Sequence, residues 1–281
     1  MWSFDGDMRL GGDEDFDALA AAFADLTTRA GAIPMSLLAA PTIAARAKKD
    51  SSPVCEADEK IEAFLTARLA ELLPGVPIVA EEAAAAGADF ARAKTFVLVD
   101  PLDGTREFLA RSGEFTINIC LIVAGAPRAG AVFAPALGKL WFAGARAFAA
   151  DAAPGLPAPP RDAWRALRVR ALPAEGPTAL VSRSHLDEAT RAFLNERNVD
   201  AIREIGSSIK FCLLAEGAAD LYPRFGPTME WDTAAGDAVL RAAGGGVVDP
   251  SGRPLVYGKA DASYRNGAFI AFGDSAAARL C

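Results

Sequence analysis

Two aspartates, Asp100 and Asp103, follow the apolar run TFVLV (95–99), with a proline between them. An apolar run of this kind predicts a buried strand, and a strand carries the residues after it to a sheet edge, where ligands tend to bind. Two converging carboxylates repel each other unless one is protonated or a cation lies between them. Carboxylates, a threonine hydroxyl and a backbone carbonyl are the hard oxygen ligands that Mg²⁺ prefers. The pair therefore indicates a divalent-cation site, with an Asx-rich turn as the alternative.

Further acidic residues lie at the ends of predicted elements. Glu81 and Glu82 follow the strand-like PIVA (77–80), Asp58 lies in the first turn of a predicted helix, and Asp232 opens another. Acids at helix starts commonly cap the helix and complement its dipole. Taken alone, Asp58 and Asp232 therefore predict no more than capping, and the glutamate pair predicts a solvated loop.

The composition excludes several classes of function. The chain has 281 residues, a net charge of −7, a pI of about 4.9 and 52% hydrophobic residues, which predicts a globular protein with a real core. No basic cluster is present, which argues against nucleic-acid binding. No apolar run approaches the roughly 20 residues that span a bilayer, and the N-terminus lacks the features of a signal peptide. We expect a cytoplasmic protein without an integral membrane segment, in which cations for an anionic substrate come from a cofactor.

Cysteine and histidine chemistry is not indicated. The four cysteines (Cys55, Cys120, Cys212 and Cys281) are scattered, and His185 is the only histidine. A structural zinc site needs clustered sulfur or nitrogen ligands, and a disulfide scaffold is untypical of a chain this large without an export signal. A thiol nucleophile would usually need a histidine partner.

Hydrophobic periodicity predicts a mixture of helices and strands. Helices are expected at 13–40, bent at Pro34, and at 57–73, 186–197, 207–217 and 231–245. Strands are expected at 77–81, 95–100, 115–125, 129–135, 139–144, 145–150, 167–170, 178–182, 219–225, 247–249 and 268–272. The proline-rich stretch 151–161 is the expected seam between an N-terminal half, 1–155, and a C-terminal half, 156–281. This mixture predicts stacked α and β layers.

Four segments resemble, in the right order, the motifs of one superfamily. They are KKDSSPVCEAD (48–58), VAEE (79–82), DPLDGTREF (100–108) and WDTAAGDAVLRAAGG (231–245). They are similar to motifs of the inositol monophosphatase superfamily, whose members are Mg²⁺-dependent, lithium-sensitive phosphatases. Cys55 stands where threonine is usual. The resemblance implies an α+β fold, a layered α-β-α-β-α sandwich.

Four more segments resemble one branch, the CysQ-type 3′(2′),5′-bisphosphate nucleotidases. They are GEFTINICLI (113–122), SRSH (182–185), GSSIKFCLLAEG (206–217) and LYPRFGPT (221–228). Enzymes of this branch hydrolyse the 3′-phosphate of 3′-phosphoadenosine 5′-phosphate (PAP), a by-product of sulfate assimilation, to give AMP and phosphate. The 5′-phosphosulfate, PAPS, is a second candidate substrate. The alternative enzyme is an inositol monophosphatase or another sugar phosphatase, and the alternative from another class is a non-catalytic sensor of Mg²⁺ or nucleotide.

The resemblance also implies roles for particular residues. Two or three Mg²⁺ ions would be held by Glu81, Asp100, Asp103, Asp232 and the carbonyl of Leu102. Glu81 is preferred to Glu82 because strand alternation would point the two in opposite directions. Asp58 and Thr105 would orient and deprotonate the attacking water, and the backbone N–H groups of Gly104 and Thr105 would bind a phosphate oxygen.

The remaining substrate contacts implied by the resemblance are His185, Ser208, Lys210, Arg224 and Asp232. Lys210 and Arg224, with the Ser208 hydroxyl, would bind the second phosphate, and plain surface charges are the alternative. His185 would lie near the purine or the ribose. The expected partner is a small phosphorylated nucleotide. A monomer and a homodimer both remain open, as does peripheral attachment to the inner membrane.

Overall fold

A computed structural model describes residues 12–47, 53–88, 90, 93–259, 261 and 263–280. Residues 1–11, the first five residues of the motif at 48–58 and Cys281 lie outside these ranges. The helices are α1 (Asp13–Ala30), α2 (Ala32–Leu38), α3 (Glu56–Leu72), α4 (Glu81–Ala85), α5 (Thr105–Leu109), α6 (Glu188–Glu196), α7 (Ile209–Ala215) and α8 (Glu230–Ala242). The strands are β1 (Ala45–Ala47), β2 (Pro53–Cys55), β3 (Ile78–Ala80), β4 (Thr95–Asp103), β5 (Thr116–Val123), β6 (Ala126–Ala134), β7 (Lys139–Ala143), β8 (Ala147–Asp151), β9 (Arg165–Ala166), β10 (Thr178–Ser182), β11 (Ala201–Ile205), β12 (Leu221–Arg224), β13 (Thr228–Met229), β14 (Gly246–Val248), β15 (Arg265–Asn266) and β16 (Phe269–Phe272).

The fold consists of five layers, in which helices and sheets alternate. Helices α1 and α3 pack on one face of a seven-stranded sheet with the order β3-β4-β5-β6-β7-β8-β9. Helices α7 and α8 lie between that sheet and a five-stranded sheet with the order β11-β10-β12-β16-β14. Helix α6 packs on the outer face of the second sheet. The predicted α+β sandwich of layers α-β-α-β-α is therefore confirmed.

The central strands contain long apolar runs because helices cover both of their faces. In β4, Phe96 and Leu98 belong to the core shared with α7 and α8, whereas Val97 and Val99 belong to the core shared with α1 and α3. A strand buried on both faces reads as a continuous hydrophobic run rather than as an alternating one. This explains why residues 96–99, directly before Asp100, are all apolar.

Small residues let α8 approach its neighbours closely. A Cβ atom on Gly236 would lie 2.6 Å from a ring carbon of Phe211 in α7, and one on Gly130 of β6 would lie 3.2 Å from the Cα of Ala235. The AAG sequence of the last motif thus has a packing role. It fixes the position of α8 and, with it, of Asp232 at the start of that helix.

Several local predictions differ from the structure. Residues 167–170 form no strand, because the first sheet ends with β9 and this stretch links it to the second sheet. The first helix breaks at Gly31 and not at Pro34, which lies inside α2. Glu81 and Glu82 open α4, so the argument from strand alternation does not apply to them. Strand β11 has no sequence signal because it is an edge strand with exposed, partly charged residues.

The division into halves at residue 155 stays a prediction. Strand β9 lies beyond that residue and completes the first sheet, and one core cluster extends from Val79 to Ala271 across the expected seam. Among the helices in the described ranges, none combines the length and the apolarity that crossing a bilayer requires.

Candidate active site

A cavity of about 730 Å³ brings together almost all of the predicted site residues. The predicted residues that line it are Glu81, Asp100, Leu102, Asp103, Gly104, Thr105, His185, Ser208, Lys210, Arg224 and Asp232. They come from the ends or starts of β4, α4, α5, α7, β12 and α8 and from the loop after β10. Asp58 is fully buried and lies behind Thr105.

Part of the cavity lining is acidic. Burial raises the pKa of Asp100 well above its ordinary value, and the nearby charges of Glu81, Asp103 and Asp232 raise it further. Burial, and then the charges of Asp103 and Glu81, also raise the pKa of Asp232 well above its ordinary value. Four acids therefore converge here without enough positive charge to balance them.

The donor chemistry of this cluster fits a hard divalent cation. Within the described ranges, no three acidic, cysteine or histidine side chains already have the spacing of a metal site. The carboxylates instead accept backbone hydrogen bonds, from Ser208 N to Asp103 Oδ2 at 2.5 Å and from Met229 N to Asp232 Oδ2 at 2.8 Å. Since each carboxylate has a second oxygen, these bonds do not consume its ligand capacity. Buried, mutually repelling carboxylates are the donor set that Mg²⁺ stabilises.

Asp58 and Thr105 form the predicted pair. The Thr105 hydroxyl lies 3.2 Å from Oδ1 of Asp58 and 3.2 Å from the carbonyl oxygen of Leu102. The other carboxylate oxygen, Oδ2, accepts hydrogen bonds from the backbone N–H and the thiol of Cys55, both at 2.9 Å. Asp58 therefore caps α3, as the sequence alone predicts, and also contacts Thr105. Burial and the neighbouring Asp58 carboxylate raise the pKa of Cys55 to about 12, so Cys55 stays a thiol and a donor.

The lining of the cavity also carries two buried cations. Lys210 donates to the backbone carbonyls of Ile205 and Ser207, and burial lowers its pKa to about 8 despite the attraction of Asp103. Arg224 is 7% exposed, and all three of its guanidinium nitrogens donate to backbone carbonyls. These partners are neutral, so both positive charges remain available to an anion in the cavity. The alternative of plain surface charges is excluded by this burial.

His185 lines the cavity, and its backbone carbonyl accepts a hydrogen bond from Arg224. Partial burial, and then the charges of Arg224 and Arg106, lower the pKa of its imidazole. The ring is therefore neutral at neutral pH. It can donate or accept one hydrogen bond at each nitrogen, which suits a ribose hydroxyl or a base edge.

A polar network beneath the acids was not predicted from the sequence. Ser207 and Ser208 donate to Asp103, and the Ser208 hydroxyl donates to Asn118 Oδ1 at 2.9 Å. Thr116 lies 2.8 Å from the same hydroxyl. The Ser208 hydroxyl is thus committed inside the protein, and its predicted contact with substrate stays a prediction. The available signal was the alternation of polar residues Thr116 and Asn118 in an otherwise apolar strand.

The five-layer fold is that of the inositol monophosphatase family. The sequence model of that family matches residues 15–276, and the chain belongs to it. The chain is 41% identical over 215 residues to the 3′(2′),5′-bisphosphate nucleotidase CysQ of Escherichia coli, a match that covers 75% of this chain and 81% of that protein.

Solved structures agree with this assignment. The crystal structure of CysQ from Bacteroides thetaiotaomicron, a bacterial member of the inositol monophosphatase family, superposes with a TM-score of 0.75 at 34% identity, over 92% of this chain and 98% of that one. The extragenic suppressor protein SuhB from Bartonella henselae superposes with a TM-score of 0.74 at 24% identity, over 94% of this chain and 97% of that one, and shows the shared fold alone.

Proposed function

We propose that the protein is a Mg²⁺-dependent 3′(2′),5′-bisphosphate nucleotidase that hydrolyses the 3′-phosphate of PAP to give AMP and phosphate. The observation that carries this proposal is that one cavity is lined both by four acids and by the buried cations Lys210 and Arg224. The acids suit metal ions that bind the scissile phosphate, and the two cations suit a second phosphate. The names of the similar CysQ proteins support the same reaction.

Glu81, Asp100, Asp103, Asp232 and the Leu102 carbonyl are the residues that would hold the metal. Bound Mg²⁺ supplies charge neutralisation of the phosphoryl oxygens and makes water a stronger acid. The protein keeps these acids in place through the cap of α8 and through the hydrogen bonds that Ser207 and Ser208 donate to Asp103. How many ions bind is part of the proposal, at two or three.

Thr105 and Asp58 activate the attacking water as a relay. Asp58 is fully buried, so it cannot contact a water in the cavity directly. Thr105 lines the cavity and lies within hydrogen-bond distance of Asp58. The water donates a proton towards the Thr105 oxygen as the Thr105 hydroxyl passes its own proton to Asp58 Oδ1. General-base help of this kind contributes about 10²–10⁴ in rate.

Lys210 and Arg224 bind the second phosphate. Lys210 and Arg224 already lie in the protein interior, so their desolvation does not have to be repeated when substrate binds. Gly104 and Thr105 offer backbone N–H groups to the scissile phosphate at the start of α5. A cytoplasmic location, a role in sulfate assimilation, sensitivity to lithium and a monomeric or dimeric state belong to the same proposal.

The deciding experiment is phosphate release from PAP, PAPS, myo-inositol 1-phosphate and fructose 1,6-bisphosphate, each with Mg²⁺ and with EDTA. We expect metal-dependent turnover with roughly a hundredfold preference in kcat/KM for the nucleotides over both sugar phosphates, about 3 kcal/mol of transition-state stabilisation. Equal or better turnover of an inositol or sugar phosphate would leave the metal site standing and overturn the substrate. Binding without turnover of any of them would favour a sensor.

A further inference from the structure

A third cation, Arg106, lines the same cavity as Lys210 and Arg224. It is the second residue of α5, directly after Thr105, and it is exposed to solvent on the cavity wall. Its neighbour Glu107 is 6% exposed and accepts a hydrogen bond from Ser184. Within the described part of the chain, the Arg106 guanidinium makes no hydrogen bond or ion pair. It is therefore a solvated cation that faces a cavity and has no structural task.

His185 shows that Arg106 and the buried cations share one region. The charged side chains that act on its imidazole are Arg224, Arg106 and Lys210, with Glu107 as the opposing charge. The three cations come from β12, α5 and α7, so separate elements of the fold direct positive charge to the same place. In a chain with a net charge of −7, such a concentration is not a consequence of composition.

Arg106 has more free hydrogen-bonding capacity than either buried cation. Lys210 has three N–H donors, and two of them already bind backbone carbonyls. Arg224 has five, and each of its three nitrogens already donates to a carbonyl. Arg106 retains its full planar set of donors, which matches the geometry of a phosphate group in a two-point contact.

Resting on the proposed function, we propose that Arg106 binds the second phosphate of the substrate from the solvent side and thereby sets the preference for bisphosphorylated over monophosphorylated nucleotides. Lys210 and Arg224 supply a fixed positive field from within the protein. Arg106 supplies the directional hydrogen bonds. Because Arg106 follows Thr105 in the same helix, one short element positions both a residue for the scissile phosphate and a residue for the second one.

The test compares Arg106→Gln with Arg265→Gln. Arg265 is a matched control because it also lines the cavity and makes no hydrogen bond or ion pair within the described residues, yet it is not among the main charges acting on His185. The substrates are PAP and adenosine 3′-monophosphate, which carry the same scissile phosphate and differ in the second one. In Arg106→Gln we expect the kcat/KM for PAP, divided by that for adenosine 3′-monophosphate, to fall about tenfold or more. In Arg265→Gln we expect this ratio to be preserved. An unchanged ratio in Arg106→Gln, or an equal fall in both variants, would overturn the proposal.

A second measurement separates this proposal from the proposed reaction. His185 is the only histidine in the chain, so its imidazole resonances report on this region without assignment of any other ring. We expect Arg106→Gln to raise the pKa of His185, because a cation that lowers it is removed. We also expect Arg106→Gln to weaken binding of adenosine 5′-monophosphate, followed through His185, by about tenfold. If the wild-type enzyme shows no preference for PAP over the sugar phosphates, the proposed reaction fails. Unchanged binding of adenosine 5′-monophosphate in Arg106→Gln separately overturns the role of Arg106.

Discussion

The Thr105 hydroxyl lies 3.2 Å from the Asp58 carboxylate and connects a fully buried acid to the wall of the cavity. Asp58 belongs to the first turn of α3 and Thr105 is the first residue of α5, so two helix starts meet at this contact. Cys55 holds the other oxygen of the carboxylate through its backbone N–H and its thiol. Asp58 is thereby restricted to a single direction, towards Thr105.

Asp58→Asn tests the relay. The substitution keeps the shape and an oxygen for the cap of α3 but removes the negative charge that accepts a proton. We expect kcat for PAP to fall by about 10²–10⁴, while AMP with Mg²⁺ still raises the melting temperature of the variant. Glu59→Gln, at the exposed neighbouring residue, is the matched control and should keep its activity. Full turnover by Asp58→Asn would remove Asp58 from the mechanism.

Cys55 should resist alkylation in the folded protein. It is 3% exposed, and its pKa of about 12 leaves a thiolate fraction of about 10⁻⁴ near pH 8. We expect iodoacetamide to leave this cysteine unmodified in native protein and to label it fully after denaturation, as measured by peptide mass mapping. Rapid native labelling would mean that the contact between Cys55 and Asp58 is not maintained in solution.

Removal of divalent cations should make stability depend on pH in a defined direction. Because the pKa values of Asp100, Asp103 and Asp232 are raised in the folded protein, it binds more protons than the unfolded chain at pH values from about 4 up to the raised values. In EDTA, stability should therefore fall as the pH rises through this window. Mg²⁺ binds the deprotonated acids, so the increase in melting temperature that it causes should grow between about pH 5 and pH 8. Asp232→Asn should reduce the increase in melting temperature that Mg²⁺ causes. An increase that is independent of pH would argue against these acids as the ligands.

Asp237 should be a strong determinant of stability. It is fully buried, receives two hydrogen bonds from Arg241 and one from the Tyr257 hydroxyl, and so ties α8 to the segment that follows β14. Asp237→Ala leaves the Arg241 charge without its partner, and we expect a loss of about 3–5 kcal/mol in the free energy of unfolding, measured with urea. The exposed pair of Lys139 and Asp151 provides the control, and Asp151→Ala should hardly change that free energy. Similar losses in both variants would contradict the assigned role of burial.

Local sequence patterns predicted most of the helices and strands. Apolar periodicity located the long helices and the central strands, since helical spacing and continuous burial leave direct traces in the order of residues. Periodicity did not predict the edge strand and the linking segment correctly. Strand β11 is exposed and pairs along one side only, and residues 167–170 look apolar enough for a strand but cross between two sheets. Neither property depends on the residue types in the segment.

The sequence by itself determined which residues could do chemistry: the aspartates after the apolar run, the acids at helix starts, and the motif order that places the chain in its family. It could not decide how these residues touch, because contacts across the layers depend on how sheets and helices pack. Only the tertiary structure placed Asp58 behind Thr105, committed the Ser208 hydroxyl to Asn118, and brought Arg106 into the same region as Lys210 and Arg224. Such contacts join residues far apart in the chain, and periodicity, which reports only a residue's neighbours, contains no record of them.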